Sequence, residues 1–157
     1  MKKIMKSMLL ALTSIALLAS CETKKQEAQL TASGLNPADF ESTIDGKQTA
    51  LYTLKNANGM EVCITNFGGR VVSIMVPDRD GEMKDVVLGY DNVAQYADSE
   101  NSPSDYGASI GRYANRISKH SFTIGEDTYE LVANDGDNCL HGGPTGFHAR
   151  VWDAEQI

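Results

Sequence analysis

The chain has 157 residues, 41% of them hydrophobic and 22% charged, which suits one folded domain or part of one and is too apolar for general disorder. Its formal net charge of −7 becomes −10 once the three lysines Lys2, Lys3 and Lys6, in a segment expected to be removed, are discounted. So acidic a chain, with no Lys/Arg-rich stripe, argues against binding nucleic acid by phosphate neutralisation, whereas an uncharged polar ligand such as a sugar meets no electrostatic objection.

The first twenty residues, "MKKIMKSMLLALTSIALLAS", combine a basic start, an apolar run from Met8 to Leu18 and the small residues Ala19 and Ser20. That is the layout of a secretory signal, and the run is shorter than the roughly 20 residues a membrane-crossing helix needs. "LASC" (Leu18 to Cys21) resembles a bacterial lipobox, which implies that Cys21 becomes the first mature residue and carries lipid. More than one acyl chain there anchors a protein stably to a membrane of the cell envelope, periplasm-facing or outer. Cys63 and Cys139 then remain as an even pair in a compartment that permits disulfides. Bridge geometry is demanding, so two separate buried thiols are expected. Residues 22–46 are polar without an apolar period and read as a tether. The expected organisation is a signal peptide over 1–20, lipidated cysteine and tether over 21–46, and a folded region over 47–157.

The folded region opens with the β-type runs "TALYTL" (Thr49 to Leu54) and "MEVCIT" (Met60 to Thr65), separated by an Asn/Gly turn. In the second run Met60, Val62 and Ile64 alternate with polar neighbours, predicting that they form the buried face. "RVVSIMVP" predicts a third strand, ended by Pro77 and the turn "DRDGE", and "DVVLGY" a fourth. "NVAQYAD" predicts one short helix, followed by the acidic loop "SENSPSDYG". Strand character returns in "ASIGRYANRI", and "SFTI" and "TYELV" flank "GED" as a hairpin. About eight short strands with regular turn signals and no βαβ alternation predict an all-β, antiparallel sandwich or barrel. An open sheet with one buried face needs a second layer, and "VWDAEQI" reads as a strand cut in mid-fold.

Gly68, Gly69, Gly142 and Gly143 match no phosphate-loop spacing and are assigned to bulges or close backbone approach. His120, His141 and His148 show no zinc-ligand spacing. Cys139 and His141, two apart, would share a strand face as a cysteine–histidine nucleophile does, with no other feature supporting that chemistry. The carboxylates of "ADSENSPSD" offer oxygen ligands to calcium without EF-hand spacing; a solvated surface loop is the ordinary reading. In "GRYANRI", strand alternation predicts Arg112, Ala114 and Arg116 on one face and Tyr113, Asn115 and Ile117 on the other. Arg116 can satisfy its fork of donors with a carboxylate of this acidic chain or with sugar hydroxyls, and the residues leave both open.

"GRYANRI", then "FTIGEDTYELVANDGDNCLHGGPTGFHARVW", resembles the galactose mutarotase (aldose 1-epimerase) family, and the likeness extends upstream to about Gly46. The resemblance implies a large antiparallel β-sandwich, here about its first half, with an open sugar cleft. It implies interconversion of the α and β anomers of aldohexoses such as galactose or glucose, by a monomer that needs no cofactor. A base takes the proton of the anomeric hydroxyl while an acid protonates the ring oxygen, each group typically contributing about 10²–10⁴-fold. By the same resemblance Asn115 and Arg116 are the pair that hydrogen-bonds the sugar, and His141 binds and orients it near the ring oxygen. The family's catalytic histidine and glutamate follow these motifs and have no counterpart within 1–157; His148 follows the HGG motif too closely to be that histidine. Two alternatives stand beside the enzyme: an inactive truncated product, and a carbohydrate-binding lipoprotein without turnover.

Overall fold

A computed structural model describes residues 29–101 and 105–157; the expected signal peptide and Cys21 lie outside the described residues. The described chain is antiparallel β-structure with one short helix. A small hairpin pairs β1 (Ser42–Ile44) with β2 (Lys47–Thr49). The central sheet runs in order β3 (Leu51–Lys55), β4 (Glu61–Thr65), β5 (Arg70–Pro77) and β6 (Met83–Asp85). The helix α1 (Val93–Ala97) follows, then β7 (Arg116–Ile117), β8 (Ser121–Ile124), β9 (Asp127–Glu130) and β10 (Cys139–Leu140).

Local chemistry explains the sheet's turns. Between β3 and β4, Asn56 Oδ1 accepts from the backbone N–H groups of Asn58 and Met60, and Gly59 takes φ 85°. Between β5 and β6, Asp78 Oδ1 does the same for Asp80 and Glu82, with Gly81 at φ 83°. Both are side-chain-led turns that need glycine where φ is positive. Asn92 starts α1 by accepting from Gln95 N at 2.9 Å, and Val93 and Tyr96, three apart, face the core.

Five sequence expectations are corrected here. The polar segment is not a tether up to residue 46. Its residues 31–44 carry a capped 3₁₀ turn over Pro37–Phe40 and strand β1, and Phe40 is completely buried in the main cluster with Leu35, Phe67, Val72, Val93 and Tyr96. Glu61 holds the start of this arm: its buried carboxylate accepts Ala32 N at 2.6 Å while Lys55 pairs with it at 2.8 Å.

The second correction follows from the first. Because that arm packs on the sheet, β4 buries Glu61, Cys63 and Thr65, while Val62 and Ile64 are only half-buried. The pairs Tyr52↔Ile64, Ile64↔Val71, Leu54↔Val62 and Val62↔Ile74 put those side chains in two rows on the opposite face. This is an apolar surface of the kind that a sandwich covers with a second sheet. A bulge at Val72 lets both Val72 and Ser73 point inward.

Thirdly, the fourth strand lies earlier than "DVVLGY". Asp85 Oδ1 accepts from the N–H groups of Ile74 and Val87, so a side chain takes over from the backbone ladder and the strand ends there. Fourthly, "ASIGRYANRI" is mostly loop. Its early part lies beside the start of β5, where Ser109 N donates to Gly68 O, and only Arg116–Ile117 pairs as a strand. Fifthly, "VWDAEQI" forms a single bridge, Val151↔Phe67, rather than a strand.

Arg70 ties this loop to the sheet. Its guanidinium is 3% exposed, lies 5.7 Å from the Phe67 ring centre and 5.2 Å from that of Tyr96, and donates to the backbone oxygens of Tyr106 and His148. Burial lowers its pKa, and Asp105 at 3.7 Å opposes that shift. One buried cation thereby fixes the chain just before the first motif and just after the second.

Candidate functional site

The pairing of β7 with β10 places Leu140 opposite Arg116 and Cys139 opposite Ile117. Beyond that short ladder both chains turn: Asn115 has φ 60° and His141 φ 55°, in the left-handed region. The two residues lock together there. His141 N donates to Asn115 O at 3.0 Å, and Asn115 N donates to His141 Nδ1 at 2.9 Å. Gly142 permits the crossing, because a Cβ at that position would run into the carbonyl of Gly111. Gly68 is constrained in the same way by the carbonyl of His148. The assignment of both glycines to close approach agrees with this geometry.

The left-handed turn at Asn115 overturns the alternation argument. Asn115 and Arg116 do not point to opposite faces; Arg116 Nη1 donates to Asn115 Oδ1 at 3.2 Å. Asn115, Arg116 and His141 thus form one continuous corner. Arg116 also meets an acid of this chain, since its Nε lies 2.6 Å from Asp135 Oδ2. Sequence reasoning anticipated such a carboxylate without identifying it. Its only signal is an acidic residue in the turn "NDGDN".

That turn is tightly built. Asn134 brackets Leu140 with its side chain, accepting from Leu140 N at 2.7 Å and donating to Leu140 O at 3.0 Å. Asn134 N and Asp135 N both donate to Asn138 O, and Gly136 takes φ 57°. The same five residues therefore set the strand that leads into His141 and the carboxylate that meets Arg116.

The corner can donate hydrogen bonds in several directions. Nδ1 of His141 accepts a backbone N–H, so the neutral ring carries its proton on Nε2 and acts there as a donor. Arg116 is a donor only, and the Asn115 amide nitrogen adds two N–H groups. Arg116 also enters the wall of a groove of about 1010 Å³, whose other walls include Phe122, Leu131, Val132 and Phe147. Arg112 stacks over the Phe147 ring at 5.5 Å, and Phe147 N donates to Gly111 O.

The remaining candidates make none of the hydrogen bonds that join Asn115, Arg116 and His141. Cys63 and Cys139 are buried and unbridged, and burial raises the Cys63 thiol, which makes it a poor nucleophile. The side chain of His120 is held by Asp137 O at 3.1 Å and faces Glu130 at 3.8 Å. Burial pushes the His148 pKa down and so favours the neutral ring; Asp105 opposes that shift, and Arg70 and His141 add to it. Among the described residues no group of three or more His, Cys, Asp or Glu is placed to hold a metal ion. In the acidic loop, Asp98 serves its own turn, accepting from Glu100 N and Asn101 N.

The architecture is that of an antiparallel all-β protein whose candidate site sits on turns at the end of a two-strand ladder. The family model for aldose 1-epimerase matches residues 50–157. The chain belongs to the aldose 1-epimerase family. It is 32% identical to a probable aldose 1-epimerase of Arthroderma benhamiae over 92% of its own length and 36% of that protein. It is 40% identical to the aldose 1-epimerase of Escherichia coli over 69% of its length and 30% of that protein. Among solved structures, the galactose 1-epimerase of Lactobacillus acidophilus superposes with a TM-score of 0.60 at 31% identity, covering 71% of this chain and 31% of that one. The chain spans about a third of the length of these relatives. That is less than the half expected from its motifs.

Proposed function

We propose that the full-length protein is an aldose 1-epimerase that interconverts the anomers of a neutral aldohexose such as galactose or glucose, and that Asn115, Arg116 and His141 hold the sugar. The lock between Asn115 and His141 carries this reading. It turns the imidazole into an Nε2–H donor and sets it beside a guanidinium and an amide, a donor set suited to ring and hydroxyl oxygens.

Anomer exchange needs more than donors. A base must remove the proton from the anomeric hydroxyl and an acid must protonate the ring oxygen, so that the C1–ring-oxygen bond breaks to give the open aldehyde. Rotation about C1–C2 and closure on the other face of the carbonyl give the second anomer. Asn115, Arg116 and His141 offer no base, and the carboxylate of Asp135 beside them is taken up by Arg116, so we place the acid and base on sequence beyond residue 157. No cofactor enters these steps. Full-length protein is expected to speed the approach of fresh α-galactose to equilibrium, and residues 22–157 alone are expected to leave it at the buffer rate. Measurable acceleration by that shorter chain would refute the placement of the acid and base. The second reading, sugar binding without turnover, is favoured for the 157-residue chain itself by a corner whose one carboxylate is already paired with Arg116.

We further propose that Cys21 carries lipid and holds the protein at the cell envelope, on the strength of "LASC" after the apolar run. Radioactive fatty acid is expected to label the wild type and not Cys21→Ala; label retained on the mutant overturns the assignment.

A further inference from the structure

The carboxylate of Asp135 is the one group in this corner that the sugar-binding reading does not use. Arg116 lies half-exposed, with a flexible stem, and a guanidinium in that setting samples many directions unless something fixes its plane. Two contacts fix it here. Asp135 Oδ2 takes Nε–H at 2.6 Å, and Asn115 Oδ1 takes one hydrogen of Nη1 at 3.2 Å. A guanidinium has five N–H groups, so these two contacts leave three, all at the Nη end. Asp135 is itself held, because its backbone bonds with Asn138 close the turn in both directions.

We propose that Asp135 is a positioning residue of the sugar site: it clamps the Nε edge of Arg116 so that the Nη edge is presented, already oriented, to substrate hydroxyls. This rests on the assignment of Arg116 to sugar binding made above. The clamp acts by pre-organisation, since a side chain ordered before binding loses less rotamer freedom when the ligand arrives. It also compensates the guanidinium charge, so that the remaining donors meet an uncharged ligand without a competing counter-ion. Sequence proximity does not produce this contact; Asp135 and Arg116 are 19 residues apart and meet only because the 134–138 turn folds back on the β7–β10 ladder.

The test is a double-mutant cycle on full-length protein, with mutarotation kinetics and thermal unfolding measured for wild type, Asp135→Ala, Arg116→Ala and the double mutant. Asp135→Ala is expected to raise KM for galactose about tenfold with kcat changed by less than about twofold, and Asp135→Glu is expected to recover most of the loss. In the Arg116→Ala background the same change at Asp135 is expected to alter KM by less than about twofold, because the residue it positions is gone. A merely structural Asp135 gives additive effects in the cycle together with a lowered unfolding temperature, and that result overturns the proposal. So does an unchanged KM in Asp135→Ala. If Asp135→Ala fails to fold, Asp135→Asn, which removes the charge and keeps the shape, is read through the same cycle. A wild type that does not accelerate mutarotation overturns the functional reading itself, and the two failures are told apart by which protein shows them.

Discussion

Replacing Arg116 by alanine in the full-length protein is expected to raise KM for galactose about ten- to 150-fold. The expectation follows from the value of a hydrogen bond made by a charged donor, about 1.5–3 kcal/mol, at about 1.4 kcal/mol per tenfold change. Arg116 is suited to that role because its own chain satisfies only part of it. Its Nε edge is taken by Asp135 and one Nη1 hydrogen by Asn115, while its side chain stays 52% exposed. A purely structural ion pair at such exposure contributes about 0–1 kcal/mol, and its removal leaves sugar affinity untouched. Steady-state kinetics over a range of galactose concentrations separate the two. An unchanged KM returns Arg116 to the salt-bridge reading.

Phe40→Ala is expected to destabilise the fold by about 3–5 kcal/mol, the cost of deleting a buried aromatic ring and leaving a cavity. Phe40 is fully buried among Leu35, Val93 and Tyr96, and the 3₁₀ turn that presents it is capped by Asn36 and tied at its end, where Thr49 Oγ1 donates to Phe40 O at 2.7 Å. A denaturant titration of the full-length protein measures the loss. A change below about 1 kcal/mol would mean that the arm over residues 31–44 is not part of the core and would restore its reading as a tether. The matched family region starts at residue 50, so Phe40 itself lies before it and packs on residues within it.

These two residues also mark what the sequence discloses and what it conceals. The turns at Asn56–Gly59, Asp78–Gly81 and Gly125 were legible because each depends on a side chain or a positive φ within a few residues. Strands β4 and β5 and the β8–β9 hairpin follow from them. Phe40 was hidden because a single aromatic in a polar stretch has no period to announce it; tertiary packing alone makes it core. The buried face of β4 is concealed for the same reason. Alternation locates two faces and cannot say which one the chain covers first, and here the arm covers Glu61, Cys63 and Thr65.

At the site, Asn115, Arg116 and His141 are legible through the motifs that hold them rather than through strand alternation. Strand alternation would have separated Asn115 from Arg116, and a φ of 60° at Asn115 brings them together. A carboxylate partner for Arg116 is legible in so acidic a chain, but its identity as Asp135 is not. Its contact with Arg116 depends on how the 134–138 turn closes over the ladder, a relation between two segments that neither encodes alone.

The central claim, that this corner serves anomer exchange in a neutral aldose, is tested most directly by polarimetry. Freshly dissolved α-galactose is mixed with purified full-length protein, and its optical rotation is followed to equilibrium against a buffer control. The account predicts a first-order approach that quickens in proportion to protein concentration and ends at the same rotation as the control. An approach no faster than buffer at any protein concentration, from a folded protein that still binds galactose, would contradict it and leave a sugar-binding protein without turnover.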